Sequence, residues 1–132
     1  MPEENVEVVR RAIEAFNRRD LDAVVRASHP DIEVDWSQSR GVEAGIYRGR
    51  AATRSFWSTF LEVFDRIVVV PEEFIEHGDR VIVEDRTRMW GRDGIEVQAR
   101  NVAVVTLRDG RILRWRMCRD RAEALKDVGL AG

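Results

Sequence analysis

The clearest pattern in the chain is an alternation of apolar and polar residues between Asp79 and Arg119. Odd-numbered positions in this segment are mostly apolar, whereas even-numbered positions carry most of the charges. A period of two is typical of β-strands that bury one face. Two Arg-Asp-Gly segments, around Asp93 and Asp109, interrupt the alternation. The pattern therefore predicts an antiparallel block of strands joined by two hairpin turns, with the odd-numbered side chains inside.

Each Arg-Asp-Gly segment fits a three-residue hairpin loop that closes with glycine in the left-handed conformation. This loop length sets the register, so that residue 91 faces 95 and residue 107 faces 111. Counting along the strands gives inward-facing rows made of Asp85, Asn101 and Met117; of Val83, Ala103 and Trp115; and of Thr87, Ala99 and Arg119. Asp85 and Asn101 are thus predicted to be polar groups on an apolar inner face.

The N-terminal half of the chain is predicted to be mainly helical, because its apolar residues recur three or four positions apart. Asp20 and Asp120 are placed to cap helices. The predicted elements are helices over residues 3–18, 21–28 and 50–64, strands over 32–36, 46–47 and 67–76, the block of strands described above, and a last helix ending at Lys126. His29 and His77 fall at predicted turns.

Helices grouped early and antiparallel strands grouped late predict an α+β fold rather than a doubly wound sheet. At 132 residues the whole chain, residues 1–132, is expected to form one domain. A strongly curved sheet, wrapped on its concave face by the aromatic third helix, would enclose a pocket. Such pockets, with few polar groups inside, are common ligand sites.

Composition excludes several classes of function. A net charge of −2 disfavours a protein that binds nucleic acid by neutralising phosphates. No apolar run approaches the roughly 20 residues of a membrane span, and the acidic N-terminus does not resemble a signal peptide, so a cytoplasmic location is expected. Cys118, the single cysteine, forms no internal disulfide and is expected to be a passive thiol. Neither a metal site nor a cofactor is predicted, because no His and carboxylate cluster has ligand spacing.

Asp85 is the strongest candidate for chemistry. A carboxylate on an apolar face has a raised pKa, because desolvation disfavours its charged form, and it can then act as a general acid or base near neutral pH. Asn101 faces it across the hairpin and is suited to hold a ligand carbonyl or hydroxyl. The alternative is a structural role, in which Asn101 or a salt bridge to Arg119 satisfies Asp85.

Six further residues complete the predicted ligand site. They are Trp36, Tyr47, Thr87, Trp115, Met117 and Arg119. Tyr47 follows the glycine-containing loop 37–45 and is expected at the pocket rim, where its hydroxyl can find a polar partner. The alternative for these side chains is ordinary core packing, which is the favoured interpretation for Trp115 and Met117. These residues together predict a small, largely hydrophobic ligand.

The outer face of the predicted sheet is also partly apolar. Its apolar positions lie among arginines and are Ile82, Trp90, Val102, Val104 and Ile112. Leu113, in contrast, is assigned to the inner face. Apolar groups on an outward face favour a partner surface, and a homodimer through this face is the simplest expectation.

Four segments carry a family resemblance. They are residues 8–23, the Tyr47–Arg50 segment before the aromatic helix, Leu107–Ile112 and Asp120–Leu125. Together they resemble the SnoaL-like branch of the nuclear transport factor 2-like superfamily. The resemblance implies a cone-shaped α+β half-barrel that is often dimeric. It does not specify a function, because this fold hosts isomerases, cyclases, hydrolases, dehydratases and non-catalytic binders.

The catalytic groups of two enzyme families in this superfamily do not match this chain. The positions used by ketosteroid isomerases correspond here to Trp36, Ala12 and Ala103. The arginine and two aspartates of limonene epoxide hydrolases correspond to Asp85, Thr87 and Met117. The resemblance still implies a site on the inner rows. It leaves two alternatives: cofactor-free acid–base catalysis by Asp85, or a non-catalytic binding or dimeric assembly module.

Overall fold

The elements of the fold follow the predicted order. The structure, a computed structural model, describes residues 2–39 and 43–130. The elements are α1 (Pro2–Asn17), α2 (Leu21–Arg26), β1 (Ser28–Asp35), β2 (Ile46–Arg48), α3 (Arg50–Val63), β3 (Arg66–His77), β4 (Arg80–Trp90), β5 (Glu96–Arg108), β6 (Arg111–Cys118) and α4 (Arg121–Asp127). Residues 40–42 of the predicted loop lie outside the described residues. The predicted α+β class is confirmed.

One six-stranded, curved and unclosed sheet contains all of the described strands, in the order β2-β1-β6-β5-β4-β3. Neighbouring strands are antiparallel except β1 and β6, which are parallel. β1 begins at Ser28, earlier than predicted, and His29 lies in this strand rather than in a turn. The physical reason is Pro30, which restricts His29 to extended angles, so the chain enters the sheet as soon as α2 ends.

The main core lies between the inner face of the sheet and helices α1 and α3. Val9 and Ile13 of α1 and Phe56 of α3 are buried there against Val83 and Val105 of the sheet. Burial of each such side chain stabilises the fold by about 1.5–3 kcal/mol. The amphipathic stripes predicted for both helices therefore form the layer that closes the concave face.

The first hairpin has the predicted geometry. The amide of Gly91 donates to the carbonyl of Ile95 at 3.1 Å, and Gly94 has a φ of 81°. Asp85 consequently pairs with Asn101 across β4 and β5. The predicted neighbourhood of these two residues is confirmed.

The predicted register of the second hairpin is wrong. Arg108 pairs with Arg111, so the loop has two residues, Asp109 and Gly110, with φ of 53° and 75°. Two successive positive φ angles are those of a type I′ turn, whose twist matches the flanking strands. A bulge follows at Leu113, because the pairing shifts by one residue between Leu107↔Ile112 and Thr106↔Arg114.

The shorter loop and the bulge together move the predicted rows by two residues. Met117 pairs with Ala103 rather than Asn101, and Trp115 pairs with Val105 rather than Ala103. Because the total shift is even, Trp115 and Met117 keep their predicted inner face. Between the turn and the bulge the register differs from the predicted register by one residue. Ile112 and Leu113 therefore lie on the faces opposite to those predicted. Ile112 is buried in the inner core, and Leu113 lies on the outer side.

The outer face of the sheet is less open than predicted. Helix α4 packs on it, so that Ile82, Val104 and Cys118 are buried against Ala124 and Val128. The expectation that Ile82 and Val104 belong to an exposed partner surface is therefore wrong. The cause is the last helix, which folds back over the sheet after the capping residue Asp120 accepts a hydrogen bond of 2.8 Å from the amide of Glu123.

Trp90 and Cys118 are two further residues of the outer side for which the sequence made a prediction. Trp90 lies between the guanidinium groups of Arg66 and Arg88, each 4.9 Å from its ring. Burial raises the pKa of the Cys118 thiol to about 11, which disfavours the reactive thiolate.

Within residues 2–39 and 43–130, the helices are too short or too polar to span a lipid bilayer.

Candidate ligand and acid–base site

A cavity of about 110 Å³ lies between the inner face of the sheet and helices α1 and α3. Most of its wall is apolar, with Ile13, Val34, Trp57 and Trp115 among the lining residues. The polar side chains in the wall are Ser28, Thr53, Asp85, Thr87 and Asn101. This combination of an apolar cavity with a few polar groups is typical of small-molecule sites.

Asp85 has a defined hydrogen-bond environment on this wall. Its side chain is buried, with 5% exposure. Its Oδ1 accepts hydrogen bonds from Thr87 Oγ1 at 2.8 Å and from Asn101 Nδ2 at 3.3 Å. Among the residues that the structure describes, no group donates to Oδ2. The carboxylate is thus held by one oxygen and has the other oxygen available.

Asn101 and Thr87 are also bonded to each other. Asn101 Nδ2 donates to Thr87 Oγ1 at 3.1 Å, in addition to its bond to Asp85. Both amide hydrogens of Asn101 are therefore used, and the Thr87 hydroxyl both donates and accepts. The groups left for a ligand are acceptors: Asp85 Oδ2 and the Asn101 side-chain oxygen. The site is consequently better suited to a ligand hydroxyl than to a carbonyl while Asp85 is ionised.

The pKa of Asp85 is raised above its ordinary value. Desolvation by burial is the main cause, and the hydrogen bonds from Thr87 and Asn101 act in the opposite direction. The negative charge of Glu72 raises the pKa further. The predicted direction of this shift agrees with the geometry of the site.

Glu72 comes close to Asp85 because β3 is irregular. The β3–β4 pairing shifts between Pro71 and Glu73, which makes Glu72 the extra residue of a bulge opposite Asp85. Pro71 is tolerated because β3 is an edge strand. The Glu72 carboxylate also accepts a hydrogen bond of 3.2 Å from Arg86 on the exposed side.

An aromatic cluster forms one side of the cavity. The Trp36 ring makes edge contacts with Phe56, Trp57 and Phe60 at centroid distances of 5.3, 5.9 and 6.2 Å. Trp57 contacts Trp115 at 6.1 Å in the same manner. These edge-to-face contacts fix the ring orientations. The cavity therefore presents a rigid aromatic wall beside the polar group formed by Asp85, Thr87 and Asn101.

The structure brings together most, but not all, of the predicted site residues. Trp36, Asp85, Thr87, Asn101, Trp115 and Met117 line the cavity. Tyr47 instead packs behind Phe56 at 4.6 Å, and its hydroxyl donates to the carbonyl of Glu43 at 2.8 Å.

Arg119 also lies outside the cavity wall. Its side chain is 71% exposed and pairs with Glu123 at 2.7 Å. The salt bridge considered between Arg119 and Asp85 does not form. The physical reason is that β6 ends at Cys118, so Arg119 turns outward with the chain that leads to α4.

Sequence reasoning missed several cavity residues. Trp57 and Phe60 lie on the aromatic third helix, and the aromatic side of that helix is itself part of the cavity wall. Met89 lines the cavity too, and its place on the inner face two positions after Thr87 is a signal for this role. Thr53 carried no such signal, except that it lies three residues before Phe56 on the inward side of α3.

No group of three or more His, Cys, Asp or Glu side chains suited to a metal ion occurs within residues 2–39 and 43–130. The polar group in the cavity holds a single carboxylate, Asp85.

The sequence matches the model of the SnoaL-like domain family over residues 9–115. This chain belongs to the SnoaL-like domain family. The match includes Asp85, Asn101 and Trp115. No curated protein matches the sequence.

Solved structures of the nuclear transport factor 2-like fold are similar to this SnoaL-like protein. One, of an NTF2-like protein of unknown function from Burkholderia pseudomallei, is 27% identical, covers 96% of this chain and 98% of its own, and has a TM-score of 0.78. TerC, co-crystallised with polyporic acid, is 26% identical with a TM-score of 0.78, and the match covers 95% of this chain and 97% of TerC.

A further similar structure is a putative polyketide cyclase from Sinorhizobium meliloti. It is 25% identical, with a TM-score of 0.67, over 85% of this chain and 94% of its own. These similarities confirm the predicted membership of the superfamily and the predicted cone-shaped fold.

Proposed function

We propose that this SnoaL-like protein binds a small, largely hydrophobic molecule that carries a hydroxyl group, in the cavity beside Asp85. The observation that supports this most directly is the buried Asp85 carboxylate with Oδ2 available on an otherwise apolar wall. The similarity to TerC, which was co-crystallised with polyporic acid, supports a ligand-binding role. The apolar body of the ligand lies against Trp36, Trp57 and Trp115, and its hydroxyl lies at Asp85.

The size of the cavity limits the size of the ligand that it can hold without rearrangement. A cavity of about 150 Å³ accepts benzene, and this cavity has about 110 Å³. A ligand with more than one ring must therefore displace side chains. Met89 and Met117 line the cavity, and their unbranched thioether chains change rotamer at low cost. These two residues are the expected points of expansion.

Asp85 then acts as a cofactor-free acid–base group. When ionised, it takes a proton from the ligand hydroxyl or from an acidic carbon, and it returns that proton to the rearranged ligand. Its raised pKa places this exchange closer to neutral pH than an ordinary aspartate allows. Thr87 and Asn101 hold Oδ1, so that Oδ2 is the oxygen that carries the proton. Such chemistry is of the isomerase, cyclase or hydrolase type.

Binding is tested by native mass spectrometry of the purified protein, followed by calorimetric titration with hydrophobic phenols. We expect a co-purified organic molecule or a phenol that binds the wild-type protein, and weaker binding of the same phenol by Asp85→Asn. The control is Asp93→Asn, a change of an exposed residue in the loop between β4 and β5. Absence of any bound or bindable small molecule would contradict the proposal.

The second candidate is a non-catalytic binding or assembly module. It is favoured by the two hydrogen bonds that Asp85 Oδ1 already accepts within the protein. In that case Asp85 is structural, and Asp85→Asn keeps ligand affinity while proton exchange on the bound ligand is absent in both proteins. Exchange of carbon-bound ligand hydrogens with deuterated water, followed by mass spectrometry, separates the two candidates.

We also propose a homodimer through the part of the outer sheet face that α4 leaves uncovered. Arg100 on this face is exposed, and Val102 is half-buried at the edge of the α4 contact. Light scattering of the purified protein measures its mass directly. A dimer that dissociates on Arg100→Glu but persists in Arg92→Glu supports this face, whereas a monomer at all concentrations overturns it.

The cytoplasmic location stays a prediction.

A further inference from the structure

The cavity has a second group of polar side chains. Ser28 and Thr53 line it and are 3% and 2% exposed, respectively. The Ser28 hydroxyl donates to the carbonyl of Val24 at 2.9 Å. The Thr53 hydroxyl has no hydrogen-bond partner among the residues that the structure describes. It is a buried donor and acceptor that the folded chain leaves unsatisfied.

The position of Thr53 is fixed by the start of α3. Gly49, with a φ of 89°, donates its amide to the carbonyl of Ile32 at 2.7 Å and accepts at its own carbonyl from the amide of Thr53 at 3.0 Å. A helical threonine can satisfy its hydroxyl by bonding to the carbonyl four residues earlier. Thr53 does not make that bond to Gly49, so a residue that lines the cavity has a buried hydroxyl without a partner among the described residues.

Ser28 lies far from Asp85 along the sheet, and Thr53 lies on α3, the helix whose Arg50 side chain donates to the Ser28 carbonyl at 2.7 Å. Ser28 pairs with Ile112, and Ile112 pairs with Leu107 on β5. Asn101, the partner of Asp85, is six residues from Leu107 on the same strand. At roughly 3.4 Å per residue this is about 20 Å along β5. Side chains from both ends shorten this span, and the apolar residues Trp36, Trp57 and Trp115 line the cavity with them.

We propose that Thr53 binds a second polar group of the ligand, at the end opposite Asp85. The ligand is therefore an elongated, rigid molecule with an apolar body, a hydroxyl at the Asp85 end and a hydroxyl or carbonyl at the Thr53 end. This inference rests on the proposed binding function and specifies its ligand class. A hydroxyl at Thr53 can both donate and accept, so it matches either ligand group.

The test compares two probes that differ only at one end, para,para′-biphenol and para-hydroxy-para′-methylbiphenyl. Calorimetry measures the ratio of their affinities for the wild type and for Thr53→Val, which removes the hydroxyl at nearly constant volume. We expect the preference for the biphenol to fall about fivefold in the variant, the value of one hydrogen bond. An unchanged ratio would overturn the inference.

The methyl probe separates failure of this inference from failure of the proposed function. It needs only the Asp85 end, so its binding to the wild type supports the cavity site whatever the role of Thr53. If it binds and the ratio is insensitive to Thr53→Val, only the inference fails. If neither probe binds the wild type, the result counts against both.

Stability provides a second readout without any ligand. Removal of an unsatisfied hydroxyl leaves no broken hydrogen bond, so Thr53→Val keeps or raises the melting temperature of the free protein. The matched control is Thr87→Val, which removes a satisfied hydroxyl and lowers the melting temperature. An equal loss in both variants would show that Thr53 is satisfied within the protein and would overturn the inference.

Discussion

The hydroxyl of Thr87 donates a hydrogen bond of 2.8 Å to Oδ1 of Asp85, two residues earlier on the same strand. Residues two positions apart on a strand share a face, so β4 alone places donor and acceptor on the cavity wall. Asn101 on β5 bonds to both, which ties the two strands together at this point. This arrangement makes the protonation of Asp85 dependent on two neighbours that do not titrate.

Thr87→Val tests this dependence. Loss of the donated hydrogen bond raises the pKa of Asp85 further, because the ionised carboxylate loses a partner and the desolvation remains. It also leaves one Asn101 amide hydrogen unpaired, and we expect a loss of about 1–3 kcal/mol in the free energy of unfolding at pH 7. Carbon NMR titration of the carboxyl groups and urea denaturation measure the two effects. A lowered pKa in Thr87→Val would contradict this account.

Asp85 contributes a defined pH dependence to stability. Its pKa is raised in the folded protein, so between the ordinary value of about 3.9 and that raised value the folded state binds more protons than the unfolded state. The contribution of Asp85 to stability is thus complete at low pH and is lost as the pH rises through this window. Asp85→Asn removes that loss, so the variant gains stability relative to the wild type as the pH rises. Urea denaturation from pH 3 to pH 8 measures the difference, and a relative loss with rising pH would contradict it.

Glu72→Gln tests whether the charge on the β3 bulge raises the pKa of Asp85. The change removes the negative charge near Asp85, and we expect the pKa of Asp85 to move down toward its ordinary value. Glu73→Gln is the matched control, because Glu73 bonds to Arg121 and does not contribute to the pKa of Asp85. Carboxyl titration by NMR distinguishes them. Equal shifts in both variants would indicate a long-range charge effect rather than one specific to the bulge.

Asp109→Val tests the turn that sets the β5–β6 register. Asp109 has a φ of 53°, a conformation that a β-branched residue adopts only at a cost of about 1–2 kcal/mol. Asp109→Asn is the control, since asparagine tolerates the left-handed region. We expect the valine variant to lose about that amount in the free energy of unfolding, measured in urea, and the asparagine variant to be nearly unchanged. Equal stability of the two would contradict the type I′ assignment.

The sequence predicted the first hairpin and failed on the second, although both contain Arg-Asp-Gly. The first keeps the three-residue loop, with Gly94 alone at positive φ. The second tightens to two residues because Asp109 also takes a positive φ, and the bulge at Leu113 restores the alternation. Loop length is not determined by three residues, since the twist and pairing of the flanking strands decide which turn is adopted.

The outer face of the sheet also differs from what the alternation of apolar and polar residues predicts. The alternation places Ile82 and Val104 on that face without error, yet both are buried. A period of two states which residues share a face, but it does not say what covers that face. The sequence predicts α4 as a last helix, but the packing of that helix on the sheet depends on how the chain turns after Asp120.

Local sequence alone determined the order of the helices and strands and the pairing of Asp85 with Asn101. Side-chain periodicity and turn residues act between near neighbours, so they can be identified along the chain. Only the tertiary structure decided that Arg119 and Tyr47 leave the cavity wall, that Glu72 acts on Asp85 from a bulge, and that Thr53 is buried without a partner. These outcomes depend on packing between elements distant in sequence, where curvature and bulges fix which side chains meet.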